Sequence, residues 1–267
     1  MKRLLLQVNV KLDDHKGFAR FRPNQDIYKL SEYRAKIYAK KWNVEYHQIT
    51  DCDYLPDKHP TFQRFKMYEW DYDEILYLDM DAIILPNCPN PFEVLSGNIF
   101  SAVRDRPWNG SKRKPKEYYD EVRAKFNKAY GAKENYKPFC AGVMFLTKEF
   151  LNKTRNLWRD YLYSFDKSGN GIDGGHDQAI LNTLVVQKLD GKYNELGEEW
   201  GPWYRQGTYI EHIGGTFKKS HFNLEHFCKK YNISLDDFES IDQDVKTENS
   251  KKVFPDSDID FQYSMFT

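Results

Sequence analysis

The chain has 267 residues, and 40 Lys+Arg balance 40 Asp+Glu to a formal net charge of zero. A chain of this length fits one large α/β domain that buries roughly 70–75% of its unfolded surface, so it needs neither a disulfide framework nor a structural metal for stability. The charge balance argues against a dedicated nucleic-acid binder, which needs a basic excess to meet phosphates, and Cys52, Cys88, Cys140 and Cys228 lack the C-x-x-C spacing of a zinc or redox site.

Lys2 to Val10 opens the chain as a buried strand. Its apolar part, from Leu4, is too short for a signal peptide or a membrane span and is followed by charge, so a cytoplasmic protein with no integral membrane segment is expected. Ser31 is placed to cap a helix that carries Tyr33, Ile37, Tyr38 and Trp42 at helical spacing. Val44 to Ile49 reads as a second strand, Phe62 to Trp70 as a helix, and Glu74 to Asp81 as a buried strand ending in two carboxylates. Strand, helix, strand, helix, strand is the pattern of a parallel sheet with crossover helices. After the Pro/Asn cluster from Pro86 to Pro91 comes a strand at Asn98 to Val103, then a basic loop from Arg104 to Lys116 that reads mostly as a solvated face. Pro115 opens a helix that Gly131 closes. Phe139 to Leu146 is a strand and Phe150 to Phe165 a helix; Asp173 to Gln178 leads into another helix with Ile180, Leu181, Leu184 and Val185 on one face. From Asp236 the chain turns acidic and poor in apolar residues, which predicts a domain over 1–235 and an acidic tail over 236–267, packed on it or extending from it.

Asp79 and Asp81 sit at positions i and i+2 where a strand runs out, so in extended backbone both carboxylates point the same way. At the carboxyl end of a parallel strand they face the crevice where open α/β sheets bind ligands. Left alone they repel each other; a divalent cation with oxygen ligands relieves that and leaves positions for a diphosphate. The same spacing also closes ordinary solvated turns, so its weight depends on what accompanies it. His212 is a third candidate ligand, and imidazole suits Mn²⁺ better than Mg²⁺. It is followed by Gly214 and Gly215, which allow close approach to a phosphate, and by Lys218, which brings positive charge. Asp177 falls in the first turn of a helix, where the dipole favours a carboxylate. Gly142 within a strand marks either a bulge or a close backbone approach.

Taken together, these segments resemble the glycogenin and lipopolysaccharide-galactosyltransferase family of retaining GT-A glycosyltransferases. Phe65 to Trp70 followed by Ile75 to Leu85 resembles that family's helix lysine and Asp-x-Asp motif; Phe139 to Leu146 resembles its Ala/Ser-Gly-Val strand. Ile172 to Leu184 resembles its D-G-G-D-Q-x-x-L-N segment with His176 as an extra residue, and His212 to Lys218 its H-x-x-G-x-x-K signature. The resemblance extends over Lys2 to Lys219, although Ser31 to Ile49 is closer to yeast-type galactosyl- and mannosyltransferases and Trp108 to Lys137 is unlike glycogenin.

The resemblance implies the GT-A fold, an α/β architecture with a mostly parallel central sheet flanked by helices. It also implies transfer of a sugar from a nucleotide-diphosphate donor, UDP-linked more than GDP-linked, to a hydroxyl of a glycan or glycoprotein acceptor, with Mn²⁺ (or Mg²⁺) and retention of anomeric configuration. It assigns the metal to Asp79, Asp81 and His212, the donor to Val8, Asn9, Lys66, Asp79, Met80, Asp105, Gly142, Gly215 and Lys218, and the chemistry to Asp177, Gln178 and Lys218. Two other readings stand beside it. Ile75 to Asp81 also resembles the nucleophile strand of haloacid-dehalogenase-like phosphatases, but Ala82-Ile83 replaces that family's Gly-Thr and the His212 motif goes unexplained. The other is a binding module of the same fold that has lost catalysis, against which the intact Asp79, Asp81 and His212 speak.

Overall fold

The computed structural model describes residues 1–10, 25–56, 58–105, 131–133, 136–166, 176–201, 206–213 and 221–234. The expected helix after Pro115 and the acidic tail over 236–267 lie outside these residues. Residues Met1–Ile233 form one compact unit.

Six strands make the central sheet: β1 (Arg3–Val8), β2 (Glu45–Ile49), β3 (Glu74–Leu78), β5 (Phe100–Arg104), β6 (Phe139–Thr147) and β7 (Asn194–Leu196), in the order β2-β1-β3-β6-β5-β7. β1 pairs in parallel with β2 and β3, and β5 in parallel with β7, while β6 runs antiparallel to both of its neighbours, β3 and β5. The sheet is therefore mostly parallel, with one reversed strand at its centre. β4 (Ala82–Ile84) and β8 (Ile210–His212) form a separate antiparallel pair in which Ala82 stands opposite His212.

Both faces of the sheet are covered, which is why β3 reads as an unbroken apolar run rather than an alternation. Strand pleating sends Leu4, Leu6, Ile75, Tyr77, Met144 and Leu146 to one side and Leu5, Leu76, Leu78, Val143 and Phe145 to the other. The first face meets the 3₁₀ helix Pro60–Glu69, α3 (Lys148–Thr154), α4 (Trp158–Asp166) and α5 (His176–Leu189). The second meets α1 (Gln25–Trp42) and α2 (Pro91–Val94) together with the β4–β8 pair. The last described element, α6 (Leu224–Tyr231), is capped by Asn223, whose side chain accepts from the His226 N–H, and closed by Asn232 in the left-handed conformation.

Several sequence expectations change; the strand expected over Glu74 to Asp81 ends at Leu78. Ser31 is no N-cap: the described helix spans Gln25–Trp42, and Ser31 is buried within it, its hydroxyl donating to Ala82 O at 2.7 Å and accepting from Gln7 Nε2 at 2.9 Å. The segment Phe150 to Phe165 is two helices, not one. Its break follows Thr154, whose hydroxyl donates to Phe150 O at 2.7 Å and accepts from the Tyr68 hydroxyl at 2.8 Å. The helix expected over Phe62 to Trp70 is 3₁₀ throughout its Pro60–Glu69 span, so side chains repeat every third residue. Phe62, Phe65 and Tyr68 line up as one row, and Phe65 stacks on Trp158 with ring centroids 5.0 Å apart.

Candidate active site

Asp79 follows β3 directly, and its N–H donates to Gly142 O at 2.8 Å, fixing it against the reversed strand β6. Asp81 is not paired with it through the strand pleat. A turn closed by Ala82 N donating to Asp79 O at 2.9 Å brings the two carboxylates round to one place. His212, at the end of β8, reaches the same place because Ile213 N donates to Asp81 O at 2.7 Å. Its Nε2 lies 3.1 Å from Asp81 Oδ1. One ligand atom from each of Asp79, Asp81 and His212 falls within 4.8 Å of the others. Ligands around an ion with oxygen bonds of roughly 2.0–2.6 Å stand about 3–5 Å apart, so the three side chains fit a single divalent cation. Gly142 makes this closeness possible: a Cβ there would lie 2.3 Å from His212 Cε1 and 2.9 Å from Asp79 Oδ2.

The electrostatics are those of a crowded cluster. Burial and the nearby Asp81 carboxylate push Asp79 above the usual carboxylate range, opposed by the Arg64 guanidinium. Burial alone would lower His212, but the Asp81 carboxylate beside it raises the imidazole well above its ordinary value. A protonated imidazole beside Asp81 offsets part of the carboxylate charge; a divalent cation held at this place would do the same and relieve both carboxylates.

Arg64 is one residue of this cluster that sequence reasoning did not single out. Its guanidinium is buried; Nη2 donates to Asp79 Oδ1 at 3.0 Å, Nη1 to Ala141 O at 2.8 Å and Nε to Thr61 O at 3.0 Å. Nη2 also forms an ion pair with Asp177 Oδ2 at 2.9 Å, at an angle outside hydrogen-bond geometry. Burial works against its charge, but Asp177, Tyr77 and Asp79 favour it, and the guanidinium is held more firmly protonated than usual. Lys66, the expected phosphate ligand, is partly buried and acts electrostatically on the His47 imidazole of β2, which burial and the lysine together depress. At three residues per turn Arg64 and Lys66 occupy different rows, so the helix that aims one at Asp79 aims the other elsewhere. The available signal was a lone arginine within Phe62, Phe65, Met67 and Tyr68.

Tyr77 was also missed. Its hydroxyl donates to Asp79 Oδ1 at 2.7 Å, and burial keeps that hydroxyl protonated. Asp177 and Gln178 stand in the first turn of α5. Gln178 Oε1 accepts from Ala141 N at 3.1 Å, and its Nε2 donates to Asp105 Oδ2 at 3.0 Å, so Asp105, Gln178 and the start of β6 form one polar wall. Val8 and Asn9 lie at the same end of the sheet, Asn9 N donating to Ile49 O at 2.8 Å. Met80 is buried with its sulfur 3.6 Å from Gln48 Nε2. Gly215 and Lys218 fall outside the described residues. A cavity of about 490 Å³ near Tyr136, Lys137 and Tyr193 shares no lining residue with this cluster.

No protein-family model matches the sequence, and no curated protein matches it. Similarity lies in the structure. The galactosyltransferase LgtC, solved with donor and acceptor sugar analogs, aligns with a TM-score of 0.51 at 14% identity over 85% of this chain and 94% of its own. The glycosyltransferase GlyE of Streptococcus pneumoniae TIGR4 aligns with a TM-score of 0.51 at 16% identity over 95% of this chain and 67% of its own. The chain has the fold of these proteins, the GT-A fold expected from the sequence motifs. The dehalogenase-like alternative, which entailed another fold, is set aside.

Proposed function

We propose that this chain is a metal-dependent glycosyltransferase that moves a sugar from a nucleotide-diphosphate donor, a UDP-sugar, to a hydroxyl of a glycan or glycoprotein acceptor. The observation that carries the reading is the convergence of Asp79, Asp81 and His212 over the bare backbone of Gly142, at the end of the sheet where GT-A folds take their donors. A cation held by these three residues, Mn²⁺ or Mg²⁺, supplies Lewis-acid stabilisation of the leaving diphosphate. Val8, Asn9, Met80 and Gly215 are assigned to the nucleotide end of the donor, and Lys66 and Lys218 to its phosphates.

Asp177, Gln178 and Asp105 are assigned to the transferred sugar. The carboxylate of Asp177 is held by Arg64, and Gln178 is clamped between Ala141 and Asp105. Preorganised groups of this kind steady positive charge at an anomeric carbon without reorganising during the reaction. That arrangement supports retention, in which the acceptor's proton passes to the departing diphosphate oxygen and Lys218 stabilises the charge left there.

The test is to incubate the chain with UDP-sugars, Mn²⁺ and glycan acceptors, with and without excess chelator, and to read the product linkage by proton NMR. Transfer that chelation abolishes, giving an α-linked product from an α-linked donor, is the expected outcome. Asp177→Asn should lower turnover far more than Asp173→Asn. Full activity in chelator overturns the metal reading, and a β-linked product overturns retention. Binding of UDP with no transfer to any acceptor identifies a module that has lost catalysis.

A further inference from the structure

The two carboxylate oxygens of Asp79 are in different surroundings. Oδ1 accepts two hydrogen bonds, from the Tyr77 hydroxyl at 2.7 Å and from Arg64 Nη2 at 3.0 Å. Oδ2 borders the space over Gly142, 2.9 Å from where a Cβ would stand, and His212 Nε2 borders the same space, also 2.9 Å from that point. Tyr77 precedes Asp79 by two residues, so the pleat turns both toward one side. Its ring is 1% exposed, and the Arg64 guanidinium carbon lies 4.2 Å from the ring centroid. Tyr77 thus holds Asp79 directly through its hydroxyl and supports through its ring face the second group that holds it.

We propose that Tyr77 is a positioning residue for the cation site: with Arg64 it fastens Asp79 Oδ1, so that the carboxylate turns Oδ2 alone toward the cation. The proposal rests on the metal-dependent reading above and adds a determinant of which ion is preferred. A carboxylate with one oxygen tied down cannot rotate to chelate with both. A single oxygen suits a compact ion that also accepts imidazole, such as Mn²⁺, whereas the larger Ca²⁺ uses more oxygens and often a bidentate carboxylate. Partners that orient a ligand from outside the coordination sphere are worth about 10–100-fold in metal affinity.

Tyr77→Phe is a clean test because it keeps the ring, the core volume and the contact with Arg64, and removes only the hydroxyl. The full chain and the variant are titrated with Mn²⁺, alone and with UDP present, following the free ion by electron paramagnetic resonance, and with Ca²⁺ in competition. Thermal unfolding without metal is measured alongside. The expected result is a fall of about 10–100-fold in Mn²⁺ affinity with a smaller fall for Ca²⁺, while the metal-free melting temperature shifts by roughly 2–4 °C at most. Unchanged Mn²⁺ affinity overturns the proposal. So does an equal loss for both ions, the mark of general damage to the fold. A wild-type chain that takes up no Mn²⁺ in either condition fails at the earlier step and removes the metal reading itself.

Discussion

Gly142 sets the spacing of the carboxylate–imidazole cluster by what it lacks. Gly142→Ala would drive a methyl group between His212 and Asp79, whose atoms lie 2.3 Å and 2.9 Å from the Cβ position. We expect Mn²⁺ affinity to fall at least tenfold, by about the factor seen when metal ligands lose their orientation, with a stability loss of about 1–3 kcal/mol from overpacking. A Mn²⁺ titration beside a urea denaturation curve measures both; wild-type affinity in the variant would show that the cluster opens without cost. At this scale the sequence was informative about which residues and less so about how they meet. Asp79, Asp81, His212 and Gly142 all followed from motif and residue type. The reason offered for the Asp pairing, the two-residue period of a strand, does not hold for them: β3 ends at Leu78 and a turn does the work. The period does hold one step earlier, for Tyr77 and Asp79. Arg64 stayed hidden because its direction depends on a 3₁₀ period that no single residue announces.

Helix α5 is latched to the start of β6 by Asn182, which is completely buried. Its Oδ1 accepts from the Tyr136 hydroxyl at 2.7 Å and from Phe139 N at 3.1 Å, and its Nδ2 donates to Phe139 O at 3.1 Å and Gln178 O at 2.9 Å. The latch fixes the N-terminal turn that carries Asp177 and Gln178 against the strand that carries Ala141 and Gly142. Asn182→Ala removes four side-chain hydrogen bonds, three of them buried, and we expect a loss of about 2–4 kcal/mol in chemical denaturation, with turnover reduced well beyond what the lower folded fraction accounts for. A stable variant with normal turnover would show that α5 is positioned by its apolar face alone. The buried strands β1, β3 and β6 were legible because they carry the apolar runs that two covered faces require, whereas the three-residue strands β4, β7 and β8 are too short to show a pattern. Helix ends were less so. Ser31 has the residue type of a cap, but its hydroxyl serves a tertiary bond to β4. Thr154 interrupts a continuous apolar period by bonding back into its own helix and across to Tyr68. Such partners are distant in sequence, and no local pattern encodes them.

Across the whole molecule, the proton on His212 and the proposed cation compete for one place. The folded protein without metal raises the imidazole well above its ordinary value of 6.5. A raised value means that the stability from the His212–Asp81 pair is fully present below pH of about 6.5 and is lost as pH rises through the folded value. Metal binding needs the neutral ring, so Mn²⁺ affinity should rise about tenfold per pH unit until that value is passed, then level off. Titrations from pH 6 upward measure the slope, and a flat profile would show that no proton leaves the imidazole when the ion binds. Among the described residues no helix is long and apolar enough to cross a membrane.

The pairing of β4 with β8 also bears on the order in which the molecule comes into being. Asp81 and His212 are 131 positions apart in the chain, and they meet only when β8 docks beside β4. A nascent chain that has emerged as far as α5 already contains β1, β2, β3, β5 and β6, yet it has no imidazole to complete the cluster. A cation held by all three of the proposed ligands could therefore be captured only after β8 has docked beside β4. An ion bridging Asp81 and His212 would close a long loop whose free ends are entropically costly to join. Withdrawing such an ion should loosen β8 first, and amide exchange along Ile210 to His212 would register it before any change in the central sheet.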